Sequence, residues 1–309
     1  MIRIISYIVF SVFTITLSLA QVKSEEITIN NQAIQLPGTL SYSTENQPLI
    51  IWIHGSGNVD RNGNQAGANV NANYIKQFRD AVNKQGIAFF SYDKRTANSK
   101  NMTFIQKEGV LFSDFILDAK EVINHFKKDK RFSKIILAGH SQGSLVAMNA
   151  LEKVDKYISI AGAGETVDKT IIKQVTAQSA DLGKTAAAHF KELAETGSIK
   201  EVNPMLMSIF APQNQPFFNT WMKENPTEIL KQVTIPILIL NGDKDLQVKI
   251  SDAEALHNAN SKSKMVIIEN MNHVLKNIEK EESNMKSYFS PDFPISEQLI
   301  ETIVSFVKK

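Results

Sequence analysis

The stretch Lys134-Ile-Ile-Leu-Ala-Gly139-His140-Ser141-Gln142-Gly143 carries the reading of the fold. Residues 134–138 (KIILA) form an apolar run suited to a buried strand, and a helix-like segment, 142–153, follows almost at once. Between them lies G-x-S-x-G. In a strand–turn–helix context this spacing has a physical logic. The serine sits on a sharp, strained turn, and side chains at 139 and 143 would collide with the neighbouring strand and helix. Such a turn projects the Ser141 hydroxyl above the sheet edge. It also sets the Gln142 N–H at a helix N-terminus, where it can stabilise an oxyanion.

Outward from the elbow, strand-like and helix-like segments alternate. Strands are expected at 49–54, 87–92, 134–138, 157–161, 236–241 and 264–268, with three short opening strands at 26–30, 33–36 and 39–43. Helices are expected at 74–84, 112–128 and 295–308, each with apolar residues on one stripe, and a short one at 252–258. Alternation of this kind predicts an α/β protein with a doubly wound, mostly parallel sheet. The rhythm changes over 166–230, which is helix-like, punctuated by Pro204, Pro212, Pro216 and Pro226, and without a convincing strand. The expected organisation is therefore a core of 21–165 and 231–309 with a helical cap insertion, 166–230.

A serine nucleophile needs a base and an acid that orients it. Of the six histidines, His125, His189 and His257 lie in helical segments, and His54 and His140 suit a role in shaping the local backbone. His273, in Asn270-Met-Asn-His273-Val, follows the last expected strand and so falls at the same sheet edge as Ser141. The acid belongs after a strand, between serine and histidine in the chain. Asn241-Gly-Asp243-Lys-Asp245 offers two candidates. Asp243 sits in the turn itself, where aspartate commonly caps its own backbone, and Asp245 lies deeper, before Leu246 and Val248; Asp245 is preferred. The glycine-rich His54-Gly-Ser56-Gly57 follows an earlier strand, and the Ser56 N–H is the expected second oxyanion donor, beside that of Gln142. Asp93 and Arg95 follow a central strand and suit the bracing of loops more than substrate contact. Phe217, Phe218 and Trp221 belong to the cap, where they either line an acyl pocket or pack against the sheet.

These motifs together (HGSG, GHSQG, NGDKDLQV and NHV) resemble the α/β-hydrolase fold over the whole chain beyond residue 20. The loop Gly55–Asn62 looks like the GSGxxDRD loop of a group of secreted bacterial carboxylesterases. Ser91-Tyr-Asp-Lys-Arg95 is similar to the YDKRG stretch of that group, and Gly242–Val248 to its acid loop, in which the second aspartate is catalytic. The resemblance thus supports Asp245 independently. Asn62, where an acid is usual, and Thr96, in place of a glycine, depart from the pattern. The group implies ester hydrolysis without a cofactor, and the sequence itself offers no evident metal cluster.

Composition narrows the partners. With 34 Lys+Arg against 32 Asp+Glu, the net charge of +2 lacks the broad basic footprint of a nucleic-acid binder. The absence of cysteine excludes thiolate metal sites and cysteine nucleophiles. Residues 1–20 pair Arg3 with an apolar run, 4–19, and small residues Ser18 and Ala20 at the −3 and −1 positions, the pattern of a signal peptide. An exported protein, periplasmic or extracellular and without stable membrane insertion after cleavage, is expected. The leading expectation is a serine esterase acting on small-molecule esters of short to medium acyl chain. A serine aminopeptidase or prolyl-type peptidase is the alternative, because Glu165, Asp168, Glu192 and Glu195 in the cap offer acids for a free amino terminus. A non-catalytic ligand-binding protein on the same fold is the third.

Overall fold

The computed structural model describes residues 21–309; the expected leader, 1–20, lies outside the described residues. One eight-stranded sheet organises the chain. Its strands are β1 (Lys23–Asn31), β2 (Ile34–Tyr42), β3 (Gln47–Ile53), β4 (Ala88–Tyr92), β5 (Phe132–His140), β6 (Lys156–Ile160), β7 (Ile237–Gly242) and β8 (Lys264–Ile268). Their spatial order is β1-β2-β4-β3-β5-β6-β7-β8. β1, β2 and β4 pair antiparallel, and every pairing from β4 to β8 is parallel.

The continuous apolar strands make sense because both faces of the sheet are covered. Along β3, Leu49, Ile51 and Ile53 enter one core, while Ile50 and Trp52 enter the other. β5 and β7 divide in the same way: Ile135, Leu137, Ile237 and Ile239 on one face, Ile136, Ala138, Leu238 and Leu240 on the other. Period-two geometry thus sends each neighbour to an opposite apolar layer. The first layer takes Phe115, Ala119 and Val122 from the helix Phe112–Lys127 and Leu145 and Val146 from the helix Gln142–Met148. The second takes Ile75, Phe78 and Val82 from Tyr74–Lys84 and Leu299 and Ile303 from Glu297–Lys308.

The opening of the chain differs from expectation. Two nine-residue strands replace three short ones, because Pro37-Gly38 does not break β2. Pro37 forgoes one ladder donor, yet its carbonyl accepts the Asp93 N–H at 2.7 Å. A Cβ at Gly38 would stand 2.4 Å from the Phe90 ring, so the glycine admits that ring and does not mark a turn. The helix after Ser141 ends at Met148, short of the expected 153.

Residues 167–230 contain, among the described residues, helices and no strand: Val167–Gln178, Ala180–Thr196, Met207–Phe210, Gln215–Trp221 and Pro226–Leu230 are the α-helical pieces. Pro204, Pro212, Pro216 and Pro226 each fall in the first turn of a helical piece, where a missing N–H costs nothing. The segment has its own core of Val175, Phe190, Leu193, Phe210 and Phe218. Among the described residues no helix is long and apolar enough to cross a membrane.

Candidate active site

All six parallel strands present their C-terminal ends at one edge of the sheet, where ligands of open α/β sheets bind. The loops carrying Gly55, Lys94, Ser141, Asp245 and His273 leave from the ends of β3, β4, β5, β7 and β8.

Ser141 occupies φ 54°, ψ −123°, a conformation that side chains rarely adopt. Two bonds hold it there: its N–H donates to the Ile160 carbonyl at 2.9 Å, and its own carbonyl accepts the Ser144 N–H at 2.9 Å. The flanking glycines are sterically dictated. A Cβ at Gly139 would lie 2.3 Å from the Gly143 carbonyl oxygen, and one at Gly143 only 2.2 Å from the Ile53 carbonyl oxygen. The loop after β3 lies against the serine, because a Cβ at Gly55 would come 3.2 Å from the Ser141 Cβ.

Behind the elbow, His273 Nδ1–H donates to Asp245 Oδ2 at 2.8 Å, and both residues are buried. The other oxygen, Oδ1, accepts the N–H groups of Gln247 at 2.7 Å and Val248 at 2.9 Å. Burial alone would raise the Asp245 carboxyl; the His273 ring and these backbone donors outweigh it and hold the group below the usual carboxylate range. Asp243 is exposed and is not among the partners of His273. The structure therefore brings Asp245 to His273 and leaves Asp243 in solvent.

His140 connects this pair to the elbow. Its Nε2–H donates to the His273 carbonyl at 2.8 Å, its ring lies 4.8 Å from the His273 ring, and its Nδ1 faces the Tyr74 hydroxyl at 3.4 Å. Burial, together with the charge that His273 carries when protonated, drives His140 down to about 3, so it is a neutral spacer. His54 is also driven to about 3, by burial and by the neighbouring Lys94. The remaining histidines lie elsewhere: His189 Nε2 accepts the Asn203 N–H, His257 pairs with Ser263, and His125 is exposed.

Ser141, Gln142 and Ser56 line one cavity of about 1290 Å³. The lining from 167–230 joins apolar Ile171, Val175, Leu206, Phe217, Phe218 and Trp221 to polar Thr170, Gln174, Gln178 and Asn214. Phe217 and Trp221 also pack on Phe112, so the same aromatic side chains face the cavity and tie this segment to the core. Lys94 and Glu165 are the charged residues in the lining, and Glu165 is paired with Lys173. Asp168, Glu192 and Glu195 are outside it. Among the described residues, no group of three or more His, Cys, Asp or Glu side chains is placed to hold a metal ion.

Asp93 and Arg95 brace loops. Asp93 takes the Arg61 guanidinium on both oxygens at 2.9 Å, and Arg95 grips the buried Asp118 at 2.7 and 2.8 Å. The residue between them, Lys94, escaped the reading of the sequence, yet its ammonium points into the site.

Comparison with known proteins bears on the family and the fold. The BD-FAE family model matches residues 34–259, well over half of the chain. Esterase EstD of Thermotoga maritima is 27% identical over 263 residues, covering 82% of this chain and 60% of that protein. The probable aminopeptidase YbaC of Bacillus subtilis is 24% identical over 170 residues, 53% of this chain and 46% of that protein. The chain thus spans less than two thirds of either curated relative. Among solved structures, Est1E from Butyrivibrio proteoclasticus with ferulic acid bound superposes with a TM-score of 0.56 at 19% identity, covering 91% of this chain and 96% of that one. The Pyrococcus furiosus esterase Pf2001 gives a TM-score of 0.59 at 15% identity, covering 93% and 91%. At these identities the structural likeness speaks for the fold.

Proposed function

The chain belongs to the BD-FAE family and has the α/β-hydrolase fold, and on that footing we propose that it is a serine hydrolase of carboxylic esters. The observation that carries this reading is the buried 2.8 Å bond between His273 and Asp245, in a loop that His140 ties to the strained turn of Ser141. In the proposed cycle, Ser141 Oγ attacks the ester carbonyl and His273 Nε2 takes its proton. Asp245 keeps the ring in the tautomer that can do so and stabilises the imidazolium. The oxyanion is held by the N–H groups of Gln142 and Ser56. His273 returns the proton to the leaving alcohol, and water releases the acid from the serine ester.

The substrate is a small molecule with a short to medium acyl chain. A cavity of about 1290 Å³ exceeds the ordinary range of ligand pockets, about 300–1,000 Å³, so it has room for a bulky alcohol portion as well. The aminopeptidase alternative, which the name of YbaC also raises, has less support. It needs a free acid for the substrate's amino group, and Glu165 in the lining is already paired with Lys173. The pattern of residues 1–20 leads us to propose export to the periplasm or medium.

The test is a panel of p-nitrophenyl esters of graded acyl length beside aminoacyl and prolyl p-nitroanilides. kcat/KM should peak among short to medium esters and decline for long ones. Preference for any of the amides over every ester would overturn the ester assignment.

A further inference from the structure

We propose that Lys94 is a positioning residue that aligns both oxyanion-donating N–H groups through a single ammonium group; the inference rests on the serine-esterase reading above. Lys94 is held at its base, with its N–H on the Val59 carbonyl at 3.1 Å and its carbonyl on the Ala97 N–H at 2.7 Å. The side chain is buried and runs inward. Nζ donates to the Gly55 carbonyl at 2.8 Å and to the Gln142 Oε1 at 2.7 Å, and lies 4.3 Å from the centre of the Phe115 ring.

Each contact bears on one donor. The Gly55 carbonyl and the Ser56 N–H belong to the same planar trans peptide, in which the two groups point in opposite directions. Fixing the oxygen therefore fixes the line along which the N–H points. A charged donor on the oxygen also polarises the amide and strengthens its N–H as a donor. The second contact grips the side chain of Gln142, the residue whose own N–H opens the helix after Ser141. One cation thus ties the loop after β3 to the start of that helix, the two segments that must be in register around a developing oxyanion.

The chemistry of the contact argues for more than a loop brace. Bracing nearby is done by ion pairs, Arg61 with Asp93 and Arg95 with Asp118. Lys94 instead meets a carbonyl and an amide oxygen, neither of which carries a charge to offset the cost of burying an ammonium. That burial lowers it to about 7 despite the help of Asp118. A buried ammonium that touches the Gly55 carbonyl and the Gln142 side chain, with no anion as its partner, is suited to opposing negative charge that appears only during the reaction.

The test compares wild type, Lys94→Met and Gln142→Leu on the best p-nitrophenyl ester, with melting temperatures and with affinity for an arylboronic acid, whose tetrahedral adduct on serine carries the oxyanion. Lys94→Met should lower kcat by about 30- to 100-fold with KM within about threefold, and weaken boronate binding by a similar factor, as expected for misaligned donors. Gln142→Leu keeps the backbone N–H and loses one of the two contacts, so kcat should fall by about 3- to 10-fold with KM unchanged. It serves as the deciding variant if Lys94→Met does not fold. Folded Lys94→Met with wild-type kcat, a rise in KM alone, or boronate affinity unchanged would overturn the inference, as would an unimpaired Gln142→Leu if only that variant folds. A wild-type protein inert towards every ester would instead refute the reading on which the inference rests.

Discussion

Replacing Asp245 by asparagine isolates the function of one charge in this site. The substitution keeps the shape of the side chain and leaves one oxygen to accept the Gln247 and Val248 N–H groups, now at 2.7 and 2.9 Å. The group facing His273 Nδ1 becomes an NH2 donor. Nδ1 must then accept, the ring proton moves to Nε2, and the nitrogen turned to the serine has no lone pair left to take its proton. In a Ser-His-Asp triad that exchange lowers kcat by about 10⁴, or about 5 kcal/mol of transition-state stabilisation. Because the His273 ring and the backbone donors outweigh burial and hold Asp245 below the usual carboxylate range, its charge is present throughout pH 5–8. Initial rates on a short-chain p-nitrophenyl ester, with melting temperature as the control for folding, give the comparison. Asp243→Asn, at an exposed position, should stay within about threefold of wild type. A folded Asp245→Asn that keeps more than about a tenth of wild-type kcat, or a larger loss for Asp243→Asn, would refute the reasoning.

Stability should fall on mild acidification. His54 and His140 are fully buried and driven to about 3, whereas in the unfolded chain they titrate near 6.5. The unfolded chain binds more protons between those values, so the stability they confer is full above about pH 6.5 and drains away as pH falls. At pH 5 each costs about 2 kcal/mol, and urea unfolding should show a loss of about 4 kcal/mol from the pair relative to pH 7.5. His140→Asn should roughly halve that loss, and a pH-independent midpoint in the wild type would contradict it. The exported product should begin at Gln21 by mass spectrometry; an intact Met1 on membrane-bound material would contradict cleavage after Ala20.

The sheet was legible because its strands are buried on both faces. Runs such as 49–53 and 237–240 leave little choice but a covered parallel strand. The elbow was legible for a related reason: Gly139 and Gly143 face carbonyl oxygens that no Cβ can share. The opening strands were misread because Pro37-Gly38 answers to the ring of Phe90, 52 residues further along the chain, a contact that local pattern does not carry. The helices Met102–Glu108 and Glu281–Ser287 are too short to show an apolar stripe and went unread. Lys94 was overlooked because its meaning lies in where Nζ ends, between Gly55 and Gln142, and lysine after a strand is ordinarily a solvent residue. Asp93 and Arg95 on either side drew notice for the charges they carry, and they are the ones that brace loops.

The central claim is that Ser141 is the nucleophile, and covalent capture tests it most directly. Wild-type protein treated with a fluorophosphonate should gain the mass of one phosphonyl group, on the peptide containing Ser141, as ester hydrolysis is lost in step. Ser141→Ala, folded to the same melting temperature, should gain none and should hydrolyse esters about 10⁴-fold more slowly or worse. Full ester turnover by that variant, or the label on another residue while Ser141 stays free, would contradict the account.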